Sequence, residues 1–416
     1  MSERYYDRFM SALSKTWVIS PIHSLVDVEA TPGVLSLLAG KPNSTTFPIT
    51  KISLDISSSA STSSPSDEAV ERVTFDEQAL KLGLQYGTTT GQLGLLNLLT
   101  EWQCKWHGLT VDPSRRLSLA AGASDLLFQA IKTILDPGDV VLVEDADYCS
   151  VRATVEGCSA ECLAVPVDDH GIVPESLQKL LAEWPAEKPK PKCLYTMPVG
   201  TPLSGSIVPL ERRLQILALA REHEFLILED DPFYHISYGT GDPPPSYLAL
   251  EAQDRESPRL VIRFDSFSHI LGPGLRIGFV TGPFALLEMM ERFAAVAILQ
   301  PPSIGQSIVH TILSKWGIQG FKEYCQTIGD SYRSQRDRFI RSLPKQFGEV
   351  FHYSDPQAGP FLWLKLRDSS TEPLSTGVES PYLRVNFSLL PEADITKVAS
   401  ELMDAALGTR EVAAHP

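Results

Sequence analysis

The stretch LVIRFDSFSHILGPGLRIGFVTG (260–282) decides how the chain is read. Two apolar runs, LVIRFDS (260–266) and IGFVTG (277–282), enclose a polar segment that carries Ser266, Ser268, His269 and Arg276. Further apolar runs precede it: LSLAAG (117–122), VVLVED (140–145), CLYTMP (193–198) and FLILEDD (225–231). Segments of helical period separate the first four runs, such as SDLLFQAIKTIL (124–135) and PLERRLQILALAREH (209–223). Alternation of this kind predicts a mostly parallel sheet covered by helices, and runs without polar alternation suit strands buried on both faces. Ligands of such sheets gather at the carboxyl ends of the strands. Acids, serines and a histidine stand at several of those ends: Glu144 and Asp145, Glu229 to Asp231, and Asp265 to His269. Several polar strand ends predict one site.

Beyond this region, residues 281–345 read as largely helical. Strand character returns in GPFLWLKL (359–366) and YLRVNFS (382–388), and a helix at about 391–407 follows, a pattern that predicts a smaller α/β unit. The expected division is an N-terminal segment, residues 1–47, belonging with the small domain; a large domain, 48–310; and a shortened small domain, 311–416. The stretches SSSASTSSPS (57–66), AEKPKPK (186–192) and GDPPPS (241–246) read as surface loops rather than linkers.

The 416 residues carry a net charge of −15, which argues against a nucleic acid or an anionic membrane as partner. The first residues bear charges where a secretion signal needs an apolar run, and no stretch has the length of a membrane helix. Six scattered cysteines without a CxxC pair read as reduced thiols, with no metal site. These features predict a cytoplasmic protein with a small-molecule substrate.

The segment DSFSHILGPGLRIGFVTG (265–282) resembles the lysine-bearing segment of fold-type-I, pyridoxal-phosphate (PLP)-dependent aminotransferases of class I/II. LQYGTTTG (84–91), AAGASDLL (120–127), DPGDVVLVEDADY (136–148), LILEDDPFY (226–234) and PYLRVNFS (381–388) resemble other segments of that family, in the same order. The aromatic, α-aminoadipate and kynurenine aminotransferases are the branch most similar. The resemblance implies a mixed, mostly parallel seven-stranded sheet in a large domain, a small α/β domain, and a homodimer. It assigns Tyr86, Ala123, Ser124, Ser266, Ser268 and Arg276 to the cofactor's phosphate, with Tyr86 reaching in from a partner subunit. Asp230 matches the acid that faces the pyridine nitrogen, and Tyr148 the aromatic that stacks on the ring. Arg384 matches the arginine that clamps a substrate carboxylate, with His23, Gly40, Lys41, Pro202 and Phe361 around the substrate. Lys41 either places an amine in the pocket or points to solvent.

Departures from the family pattern cluster. His269 stands at the lysine position, and an imidazole cannot hold an aldehyde covalently as an amine does, although it can act as acid or base near neutral pH. Pro202 replaces an asparagine, and Phe233 a tyrosine, that contact the ring's phenolic oxygen. Ala123 and Ser124 replace a hydroxyl and an amide residue. Only residues 367–381 separate two strands that an extra helix and strand join in the family. The expectation from these changes is an aminotransferase shell turned to non-transaminase acid–base chemistry, of lyase, isomerase, decarboxylase or cyclase type. The substrate would be a carboxylate-bearing specialised (secondary) metabolite, with His269, Asp230 and Tyr148 at the centre and PLP or pyridoxamine phosphate (PMP) held noncovalently or not at all. The alternatives are a PLP/PMP-dependent aminotransferase or dehydratase with a noncovalent cofactor, and a noncatalytic pseudoenzyme.

Overall fold

The computed structural model describes residues 3–18, 33, 40–57, 70–145, 149–202, 204–254, 256–367 and 382–406. Its centre is a seven-stranded sheet. The spatial order is Arg115–Ala120, Gly278–Pro283, Val261–Ser266, Leu226–Asp230, Cys193–Thr196, Val140–Glu144 and Glu161–Val165. Gly278–Pro283 runs antiparallel to both its neighbours, and the other pairs are parallel. Every residue of Val140–Glu144, Leu226–Asp230 and Val261–Ser266 is buried, which is why these strands read as unbroken apolar runs. The strand Glu161–Val165 was not among those runs. It lies at the sheet edge with Glu161 and Ala164 exposed, so it lacks the doubly buried signature.

Helices cover both faces. Leu126, Ile131, Ile216, Leu286 and Met290 from helices Ala123–Ile134, Leu210–His223 and Phe284–Ala297 join the strand residues in one core. A second core forms where Leu93–His107 and the helical stretch Ser303–Arg341 meet, around Leu95, Trp102, Phe267 and Phe321. A third belongs to the smaller unit. There, Phe351–His352, Phe361–Leu366 and Tyr382–Asn386 form an antiparallel sheet, and helix Glu392–Ala406 packs on it through Ile395 and Ala399. Among the described residues, no helix is long and apolar enough to cross a membrane.

Two boundaries differ from expectation. The stretch Ser303–Arg341, broken at Gly317 (φ 63°), carries the chain from the second core to the third, so the limit expected at 310–311 lies inside a helix. Among the described residues, the first ones pack on the large unit. Tyr6, Phe9 and Met10 form an apolar stripe buried in the large core, while the Ser11 N–H donates to Thr133 O (2.7 Å) and the Ala12 N–H to Asp136 Oδ1 (2.8 Å).

Candidate active site

The carboxyl ends of the central strands open into a cavity of about 790 Å³. One end is built by the turn into helix Ala123–Ile134. Gly122 takes φ 91°, a conformation that favours glycine, and a Cβ there would press on the Arg276 guanidinium. Arg276 lies across the helix start, donating from Nη2 to Ala121 O (3.0 Å) and from Nη1 to Pro273 O (3.2 Å). Ser266, Ser268, Ala123 and Ser124 line the same end, and Ser266 Oγ accepts from the Ser268 N–H (3.2 Å). First-turn backbone N–H groups, a guanidinium and three serine hydroxyls suit a phosphate dianion.

The floor is Asp230, the last residue of its strand and only 4% exposed. Its Oδ2 accepts from the Tyr195 hydroxyl (2.8 Å), whereas Oδ1 is buried without a hydrogen-bond partner. Burial pushes its pKa up to about 6. Tyr195 opposes that rise, Asp265 adds to it and Arg263 lowers it. An acceptor left without a donor at the floor of a cavity fits a ligand that brings an N–H, as a protonated pyridine does.

His269 stands in the cavity wall, exposed, with its ring 4.7 Å from the Phe233 ring. Loss of hydration among these walls lowers the imidazole pKa, which favours the neutral ring. Among the described residues, no lysine lines the cavity.

The far wall comes from the smaller unit. Phe361 and Trp363 pair in register with Asn386 and Arg384, so period-two geometry turns all four to the cavity. The Arg384 guanidinium lies over the Phe361 ring at 4.5 Å. Pro202 joins this wall from the large unit.

The structure thus brings Ala123, Ser124, Pro202, Asp230, Phe233, Ser266, Ser268, His269, Arg276, Phe361 and Arg384 to one cavity. Gly40 and Lys41 are exposed and outside its lining, as is Tyr86, which is 55% exposed. Tyr148 and His23 lie outside the described residues. Sequence reading missed Tyr195, which looked like an ordinary residue of an apolar strand. It also missed Trp363 and Asn386, which alternation from Phe361 and Arg384 would have found.

The chain belongs to the class I and II aminotransferases, whose family profile matches residues 51–402. Aminotransferase tdiD of Emericella nidulans is 33% identical, over 95% of this chain and 94% of its own. The mitochondrial kynurenine/α-aminoadipate aminotransferase of Bos taurus is 33% identical, over 87% of this chain and 84% of its own. The crystal structure of aminotransferase Aro8 from Candida albicans matches with a TM-score of 0.83 at 24% identity, covering 96% of this chain and 97% of that one. The fold is that of the fold-type-I PLP aminotransferases. These relatives overturn the expectation of non-transaminase chemistry: proteins alike over nearly the whole chain are named aminotransferases. The changes at 202, 233 and 269 had suggested altered chemistry because two remove contacts to the ring's phenolic oxygen and the third removes the lysine. The remainder of the cavity keeps an anion end, a buried acid and a guanidinium wall.

Proposed function

We propose that the chain is an aminotransferase that works with PLP and PMP held noncovalently, moving an amino group between an amino acid and a 2-oxo acid. The observation that carries this reading is the buried, unpartnered Oδ1 of Asp230 at the floor of a cavity whose neighbouring end suits a phosphate. When bound, the cofactor supplies the amino-group carrier and an electron sink. The helix start at Ala123, Ser266, Ser268 and Arg276 would hold its phosphate, and Asp230 its ring nitrogen. Pro202 and Phe233 offer no donor to the ring oxygen, so retention rests on those two ends. Arg384 binds the substrate carboxylate in a planar two-point contact. The neutral His269 imidazole takes the proton from the substrate Cα and returns it.

Titration of the purified protein with PMP, followed by absorbance and calorimetry, is expected to give saturable binding. Addition of a 2-oxo acid then yields the amino acid in a single turnover. Borohydride is expected to fix no PLP to the chain. Asp230→Asn should weaken PMP binding about ten- to a hundredfold, the span of one hydrogen bond to a charged group. Absence of PMP binding overturns the reading, and a borohydride-fixed lysine overturns its noncovalent part.

The reading includes a homodimer. Tyr86, exposed and outside its own chain's cavity, matches the tyrosine that the family hands to the neighbouring site. Light scattering is expected to give twice the 45.8 kDa chain mass, and a strict monomer contradicts it.

A further inference from the structure

We infer that Tyr195 is a positioning residue for Asp230: its hydroxyl holds one carboxylate oxygen and so presents the other to the cavity as a charged acceptor. The inference rests on the reading that Asp230 receives the ring nitrogen.

Tyr195 and Asp230 stand on neighbouring strands. Cys193–Thr196 lies beside Leu226–Asp230, with Tyr195 in register with Leu228. The phenol is only 1% exposed, so its hydroxyl must find a partner inside the protein. Asp230 Oδ2 at 2.8 Å is that partner. A carboxylate held at one oxygen loses the freedom to turn, and its second oxygen then faces a fixed direction.

The surroundings explain why a donor is needed. Two charged groups act on Asp230, and two more titratable groups lie nearby in the chain or the cavity lining. Asp265 and Arg263 come from the adjacent strand, Asp231 follows it in the chain, and His269 stands in the cavity wall. Burial and the Asp265 charge both favour the protonated acid. Arg263 favours the charged form, yet its hydrogen bonds go to Asp231 and Asp265. Among the described residues, Tyr195 alone donates a hydrogen bond to Asp230. A phenol also suits the task better than a cation would. It stabilises the charge without neutralising it, so the charge stays available to a protonated ring nitrogen.

The test uses Tyr195→Phe, Asp230→Asn and the double variant. In the purified protein, carbon-13 NMR of the Asp230 carboxyl reads its titration directly. Tyr195→Phe should move that titration upward by about one pH unit, the scale of one lost hydrogen bond to a charge. Calorimetric PMP titration across pH 5–9 should show about tenfold weaker binding at pH 7 in Tyr195→Phe. The fall in affinity on the acid side should start at higher pH. The phosphate's own ionisation is common to both proteins and cancels in the comparison. In the Asp230→Asn background, Tyr195→Phe should cost nothing further, because the two act as one unit. An unshifted Asp230 titration, or additive losses in the double variant, overturns the inference. If the wild type binds no PMP, the proposed function falls, while the NMR arm still decides whether Tyr195 controls Asp230. Should Tyr195→Phe fail to fold, 3-fluorotyrosine placed at 195, a stronger donor of nearly the same shape, must move the Asp230 titration downward.

Discussion

Arg263→Met is expected to destabilise the protein by about 3–5 kcal/mol, the cost of leaving buried charges without their partner. Arg263 is fully buried. Its guanidinium lies 2.7 Å from Asp231, 2.9 Å from Asp265 and 3.4 Å from Glu229, and stacks over the Tyr234 ring at 4.8 Å. Methionine fills much of the volume but leaves three buried acids around an apolar side chain. Each must then take up a proton or remain charged in a medium that disfavours charge. Asp231 is already pushed up to about 7, with burial the main cause and Glu229 adding to it, while Arg263 holds it down. Removing Arg263 raises Asp231 and Asp265 further above their unfolded values. The variant therefore loses stability as pH rises through the neutral range and regains part of it towards pH 5. Urea unfolding at pH 5 and pH 8 measures both effects. A variant as stable as the wild type at pH 8 refutes the account.

His269→Ala is expected to slow single-turnover amine transfer by roughly 10²–10⁴-fold, the usual worth of a positioned general base. PMP affinity should change little, because the proposed reading has Ser266, Ser268, Arg276 and Asp230 hold the cofactor without the imidazole. The pH dependence separates this role from a structural one. Burial lowers the His269 pKa, so the wild-type rate should fall only below the ordinary histidine value of about 6.5. That acid limb should vanish in the alanine variant. An unchanged rate would remove His269 from the chemistry and leave it as cavity wall beside Phe233.

Much of this architecture was legible because the strands that form the centre of the sheet are buried on both faces. LILEDD and LVIRFDS could be recognised, and their polar ends placed, without coordinates. The edge strand Glu161–Val165 was not legible, since one exposed flank gives it no distinctive pattern. The side chains of the anion end were found through their order in the chain. The Tyr195–Asp230 bond was not found, because it depends on the register between two strands, which apolar runs do not encode. The packing of Tyr6, Phe9 and Met10 on the large core was not found for a related reason: an apolar face does not name the surface that receives it. The chemistry was misjudged because three substitutions, two at the ring oxygen and one at the lysine, were weighed above the site as a whole.

That N-terminal stripe has a practical consequence. The bed beneath Tyr6, Phe9 and Met10 belongs to the large core, and the first residues are tied to Thr133 and Asp136, at the end of the helix whose first turn faces the phosphate end of the cavity. A protease that trims these few residues bares an adhesive apolar strip on an otherwise strongly acidic surface. Nicked molecules would clump through that strip while their secondary structure still looked intact, so turbidity would give warning of damage before any spectrum did.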